Sequence, residues 1–390
     1  MRLKDLVEPI NEKTARTDRP YVALENIVSW DAKFVASNAT TEGTNACFKA
    51  GDVLFGKLRP YLAKGFLPDY DGICSTEFLV MRPHKDMLGR YLLYWLLSPG
   101  FIDVVKNRVA GVKMPRTDWA TVSQMELEPP SKEQQRRIVA YLDEKTASID
   151  ARVAVLEKKL AAYRRLKTSV VNQAVTRGLD PKAKLKDSGV DWVGKVPREW
   201  KIGRFKDIAI ARANLVAPEG YMDYPQIAPE NIEKASGKLL RYGTVRESGI
   251  ISGNHFFTKG QIIYSKIRPI LNKLVIADFD GLCSADMYPI DVLGDLRFVF
   301  YQMLSPLFVN QVAAIVGMRV KMPKINQEEL SAIGMVIPPL PEQRVIADYL
   351  DAECAKIDKA AELVTREIGL YRRLKRSLIN EVVTGKREVA

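Results

Sequence analysis

Gly51-Asp-Val-Leu-Phe-Gly-Lys57-Leu-Arg59-Pro60 recurs as Gly260-Gln-Ile-Ile-Tyr-Ser-Lys266-Ile-Arg268-Pro269, 209 positions further along the chain. Working outward from it, Asp71-Gly72-Ile73-Cys74-Ser75 returns as Asp280-Gly281-Leu282-Cys283-Ser284, and Leu97-Ser98-Pro99 as Leu304-Ser305-Pro306. Val112-Lys113-Met114-Pro115 returns as Val320-Lys321-Met322-Pro323, and Tyr141-Leu142-Asp143 as Tyr349-Leu350-Asp351. Tyr163-Arg164-Arg165-Leu166-Lys167 closes the series as Tyr371-Arg372-Arg373-Leu374-Lys375. Blocks kept in order across half a chain mean a tandem duplication.

Each copy has two parts. The first mixes short strand-like runs with turn residues. The second follows a proline pair, Pro129-Pro130 or Pro338-Pro339, and reads as one long helix. Ser131-Lys132-Glu133-Gln134 is a capping-box opening, Pro341 suits a first helical turn, and Gly178 and Gly385 mark the ends. Leu142, Ile149, Leu156, Tyr163 and Val170 fall seven apart, matched by Leu350, Ile357, Val364, Tyr371 and Leu378. Heptads of this length predict a coiled coil, and Ala347, Cys354 and Ala361 beside them would let a partner helix approach closely. The expected organisation is a globular domain over 1–130, a helix over 131–178, a connector over 179–200, a second domain over 201–338 and a helix over 339–390.

The chain has 390 residues, 47% of them hydrophobic, enough for two ordinary cores. Its 59 Lys+Arg against 47 Asp+Glu give a net charge of +12, which favours a polyanionic partner, nucleic acid first. No apolar run approaches the ~18 residues of a membrane span, and the start carries no signal-peptide pattern, so a cytoplasmic location with no membrane contact is expected. Cys47, Cys74, Cys283 and Cys354 are widely spaced and His84 and His255 are not equivalent, so no metal site is expected.

Several of these stretches resemble the specificity subunits of type I restriction–modification systems. The connector Lys186-Asp187-Ser188-Gly189 through Trp192, Gly194, Pro197 and Trp200 carries the resemblance. So do Gly51–Pro60 with its copy, Pro338-Pro339-Leu340-Pro341-Glu342-Gln343 leading into Ile346–Asp351, and Val383-Thr384-Gly385-Lys386. The resemblance implies a mixed α+β, pseudo-two-fold tandem repeat: two globular α/β target recognition domains joined by two long antiparallel coiled-coil helices. It implies a non-catalytic protein that reads a two-part site in double-stranded DNA, with each domain taking one half and the helices setting the gap. Two methyltransferase subunits and the restriction (motor-nuclease) subunits would bind this scaffold. S-adenosylmethionine, ATP and Mg would then belong to those partners, with no cofactor in this chain. One departure stands out. Leu3-Lys4-Asp5-Leu6 aligns with Phe205-Lys206-Asp207-Ile208, and nothing equivalent to Asp187–Pro197 precedes it; either this member lacks the segment or the true start lies upstream.

If the domains read different sequences, shared residues are scaffold or phosphate contacts and base readout sits where the copies differ. Lys57 with Arg59, and Lys266 with Arg268, lie two apart in strand-like runs, which predicts both cations on one face. They are candidate DNA contacts, with a fold-maintaining role for the arginines as the alternative. Lys113, Arg116, Arg319, Lys321 and Lys324, in apparent loops, are further candidates. The divergent stretches 29–49 and 233–259 offer Asn38, Thr41, Asn45, Arg241, Arg246 and Asn254 as candidate base readers. Leu142, Ile149, Leu156, Tyr163, Leu350, Ile357, Val364 and Tyr371 are the candidate coiled-coil core. Tyr163-Arg164-Arg165 and its copy suit a solvated face, a DNA contact or, by the resemblance, methyltransferase docking.

An enzyme is the rival reading. A methyltransferase needs Asn/Asp-Pro-Pro-aromatic, and neither Glu128-Pro-Pro-Ser131 nor Ile337-Pro-Pro-Leu340 fits. Gly189 to Lys195 mimics a phosphate-binding loop, but Val196 stands where Ser or Thr would hold Mg²⁺. A coiled-coil scaffold binding only proteins would leave the basic charge unexplained.

Overall fold

The computed structural model describes the chain apart from positions 42, 109–113, 191–192, 320 and 390. It divides into two units, Met1–Lys158 with Val364–Ala390, and Lys159–Leu363.

The duplication extends to topology. In the first unit, Val7–Pro9, Phe78–Pro83, Val53–Gly56 and Gly65–Phe66 lie side by side as one antiparallel sheet. A second sheet orders Lys13–Thr14, Asn45–Phe48, Gly72–Cys74 and Tyr21–Val22, the last pair parallel. The second unit repeats both orders with Ala209–Ala211, Met287–Val292, Ile262–Ser265 and Leu274–Ile276, then Leu215–Val216, Asn254–Phe257, Gly281–Cys283 and Pro225–Ile227. It adds an edge strand, Gly243–Thr244. Val53–Gly56 and Ile262–Ser265 are buried throughout, which explains their largely apolar sequence, with the Ser265 hydroxyl donating to the Ile267 carbonyl. Gly72 and Gly281 are required: a Cβ at either would come within 2.6 Å of a neighbouring carbonyl oxygen, of Pro20 or Pro225.

Two short helices cover each central sheet, Gly89–Leu96 with Pro99–Asn107, and Leu296–Leu304 with Pro306–Val316. Among the described residues no single helix is long and apolar enough to cross a membrane. The second helix pair is long and apolar when taken together, but it is bent by 56° and its Phe298, Val299, Met303, Phe308 and Val312 fill a core.

The long helices run Lys132–Arg177 and Leu340–Val383. Ser131 Oγ accepts the Gln134 N–H at the first entry, and Gly178 and Gly385 take φ of +74° and +71° at the exits. Within the first unit Asp150 pairs with Lys375 and Glu157 with Arg372; within the second, Lys167 pairs with Asp358 and Trp200, beside Gly178, with Glu342. The segments are therefore antiparallel in each unit, as expected. Leu142, Ile149, Leu156, Leu350, Ile357 and Val364 are buried, but Tyr163 and Tyr371 are only half-buried. By the end of the first helix the buried positions are Val171, Ala174 and Val175 rather than Val170. A 3.6-residue helix drifts about 20° per heptad, so the strict sevenfold pattern slides off the seam.

Candidate nucleic-acid interface

The repeated motif forms the same turn in both halves. The strand Val53–Gly56 stops before Lys57, whose N–H donates to the Glu77 carbonyl and whose carbonyl accepts from Thr117. Leu58 bridges Arg116, and the Arg59 N–H donates to Pro115. Arg59 then takes φ +49°, and Pro60 opens a single 3-10 turn, Pro60–Leu62. In the second half Lys266 donates to Asp286, Ile267 bridges Lys324, Arg268 donates to Pro323 with φ +43°, and Pro269–Leu271 makes the turn. A left-handed arginine costs of order 1–2 kcal/mol, and here it recurs at matched positions. The expectation that each Lys–Arg pair shares one strand face fails, because the strand has ended and the reversed backbone re-aims the arginine. Arg59 and Arg268 are exposed; Lys57 and Lys266 are half-buried, and the Lys266 ammonium lies 4.9 Å over the Tyr288 ring.

The neighbouring cations are more committed. Arg116 pairs with Glu77 at 2.7 Å and Lys324 with Asp286 at 2.9 Å, equivalent pairs that fasten the following loop to the strand end. Arg319 bonds the Glu329 carboxylate and the Lys324 carbonyl; its hydrogen bond, with one from the Asn326 N–H, holds the Glu329 carboxyl below the usual range. Lys321 is exposed, and Lys113 lies outside the described residues. Among the described residues the turn thus presents in each half an exposed arginine without an ion pair, Arg59 or Arg268, beside the ion-paired Arg116 or Lys324.

The candidate base readers divide. Asn45 and Asn254 start matching strands and are 2% and 3% exposed. Asn45 accepts from Thr41 Oγ and donates to the Gly43 carbonyl, and Asn254 donates to the Ser252 carbonyl. Both side chains are buried and shape their turns. Asn38, Arg241 and Arg246 are exposed, Arg246 pairing with Asp223 at 3.0 Å. His255 is 3% exposed and held below the usual imidazole range by burial and by Lys266. Burial pushes the Cys74 thiol up to about 12 and that of Cys283 up as well. No group of metal-ligating side chains occurs among the described residues.

Sequence reasoning missed a clamp between each domain and its helix. Tyr94 Oη donates to Asp143 at 2.6 Å, with Arg90 2.9 Å from the same carboxylate. Tyr301 and Arg297 bind Asp351 likewise, at 2.7 and 2.6 Å. Gln135 accepts from the Leu88 N–H and Gln343 from the Asp295 N–H, each also donating to the carbonyl of its proline pair. The repeated Tyr-Leu-Asp triplet was the available signal; its aspartate is the clamp.

The family model for the type I restriction modification DNA specificity domain matches residues 197–363. The chain is 33% identical over 309 residues to the type I restriction enzyme EcoDI specificity subunit of Escherichia coli, covering 75% of this chain and 69% of that protein. A solved chain from a study of complex assembly and conformational transition of the type I R-M system superposes with a TM-score of 0.70 at 19% identity, covering 98% of this chain and 96% of that one, which supports the fold. With its duplicated domains, its paired long helices and this relative, the chain belongs to the family of type I restriction–modification DNA specificity subunits.

Proposed function

We propose that each half of this specificity subunit reads one part of a two-part DNA target, Arg59 and Arg268 gripping phosphate in equivalent registers while the divergent segments around Asn38, Arg241 and Arg246 read bases. The observation that carries the reading is the strained turn: both halves hold an exposed arginine in the left-handed region with no ion pair among the described residues, while the stretches 29–49 and 233–259 differ between the halves. Backbone contacts fix register without carrying sequence, and base contacts specify it. The long helices then set the gap between half-sites and offer docking surface to two methyltransferase subunits and to the restriction subunits. Catalysis, with its S-adenosylmethionine, ATP and Mg, falls to those partners in the cytoplasm, and this chain performs none.

Exchange of residues 1–130 for the equivalent domain of another family member, followed by sequencing of methylated sites, tests the reading. One half-site changes and the other stays. A change in both halves, or in neither, would overturn it.

A further inference from the structure

The repeated turn carries one more matched side chain, and it is apolar. Met114 and Met322, third in the two Val-Lys-Met-Pro blocks, are 56% and 54% exposed, and neither belongs to a core among the described residues. A single exposed apolar residue is ordinary on a protein surface. A matched pair is less so when the backbone around each is strapped down. Beside Met114, the Pro115 carbonyl accepts the Arg59 N–H at 2.8 Å, and the Thr117 N–H donates to the Lys57 carbonyl at 3.0 Å. Beside Met322, Pro323 takes the Arg268 N–H at 2.8 Å and Ile325 donates to Lys266 at 3.0 Å.

The ion pairs Arg116–Glu77 and Lys324–Asp286 add a second strap two residues further on. Each methionine is thus held at a fixed point of the surface with its thioether in solvent. Met322 also takes φ +44°. That region is unfavourable for any residue with a Cβ and persists where the surroundings over-determine it, which is a mark of a functional position. The charge around each methionine points to its partner. Arg59 and Arg268 are exposed without an ion pair among the described residues, and Lys321 is exposed next to Met322. Cations around a protruding apolar tip are the composition that meets nucleic acid: the charges take phosphates, and the apolar side chain enters between them.

We propose that Met114 and Met322 are apolar contacts with a DNA groove, one in each half-site, entering beside the phosphates that the neighbouring arginines hold. The proposal rests on the reading of the repeated turn as a DNA grip and adds to it a contact of a different kind. Methionine suits the task, because its unbranched, polarisable chain fits irregular apolar surfaces. Shared by two halves that differ elsewhere, it sets how deeply each domain seats in the groove and leaves the choice of bases to the divergent segments.

The test uses the full chain assembled with its methyltransferase subunits and a fluorescent duplex bearing the methylated site, with anisotropy followed across a salt series. Met114→Ala and Met322→Ala should each weaken binding about tenfold at every salt concentration and leave the slope of log K against log salt unchanged, because an apolar contact releases no counterion. Melting temperatures should not move, since alanine keeps the Cβ and the backbone straps. Met114→Leu should restore most of the affinity. Met114→Lys separates a side chain inside the groove from one at its rim: inside, the ammonium displaces the apolar contact and binding weakens; at the rim it finds phosphate and binding tightens. Tightening by lysine, or a flattened slope in the alanine variants, would overturn the assignment. So would an affinity lost only through weaker assembly with the methyltransferase subunits, which would make these methionines protein contacts. Unchanged DNA affinity in the methionine variants, with Arg59→Gly still weakened, would remove the groove contact alone; unchanged affinity in both would bring down the DNA reading of the whole turn.

Discussion

Asp31 and Ser236 stand at the same point of the same loop in the two halves. Val28 donates to Lys33 as Glu233 does to Lys238, and Trp30 donates to Ala63 as Ala235 does to Asn272. Trp30 and Ala235 even share a left-handed backbone, at φ +64° and +51°. The side chains part company. Asp31 bonds Lys375, which also holds Asp150 at 2.7 Å; Lys33 reaches Asp150 at 2.7 Å, and Arg376 lies 4.3 Å over the Trp30 ring. Among the described residues Ser236 bonds only its own turn, and Gly237 beside it lies tight against the Phe300 ring. The duplicates keep the backbone and the ion pair within the helices, Asp150–Lys375 or Asp358–Lys167. They differ in whether a surface loop is tethered to the helices of its own unit. Tethering can change without touching the scaffold.

That contrast can be tested at three depths. The largest effect should come from Trp200→Ala, which removes a fully buried indole and costs about 3–5 kcal/mol. Hydrogen exchange should show the loss in residues 159–363 and spare residues 1–130; an even loss across both units would mean that they share one cooperative core.

Asp31→Ala should cost less, about 1–3 kcal/mol, and act locally. Exchange should quicken over residues 28–35 while 233–240 stay unchanged. The same tether is acid-sensitive. Burial pushes the Asp31 carboxyl up, but the bonds from Lys375 and Lys33 outweigh it and hold the group below its usual range. A lowered folded value means the tether's stabilisation is complete above the unfolded aspartate value, ~3.9, and disappears as pH falls through the folded one. Loosening confined to the first loop as pH falls below ~3.9 is expected; equal loosening of both loops would remove the distinction.

The smallest effect concerns what the halves share. Arg59→Gly and Arg268→Gly should each relieve the left-handed strain and stabilise the fold by about 1 kcal/mol. Each should also weaken binding to every DNA sequence and flatten the log K against log salt slope by about one unit. A shift in the preferred bases would make these arginines readers instead of grips.

The duplication and the long helices were legible because both are written in periodicity and repetition, which survive without tertiary information. The turn was not. Period two placed Lys57 and Arg59 on one face, but the chain reverses at Arg59, and nothing in Lys-Leu-Arg-Pro announces a positive φ. Asn45 looked like a reader because asparagine suits both base edges and turns, and burial decided for the turn. The Tyr94–Asp143 clamp spans 49 positions, so the repeated aspartate was visible while its partner was not. Exposed Asn38, Arg241 and Arg246 stay candidates on chemistry alone.

The first unit is assembled from residues on either side of the second, Met1–Lys158 and Val364–Ala390. Leu142 and Ile149 share their core with Leu378, Ile379, Val382 and Val383. Residues 159–363 form an uninterrupted stretch and can settle while translation continues, at roughly 5–20 residues per second. The front of the chain, made first, therefore finishes last: its helix face stays uncovered until the closing helix leaves the ribosome. A message truncated just after the codon for residue 363 would thus spare the later domain and disable the earlier one.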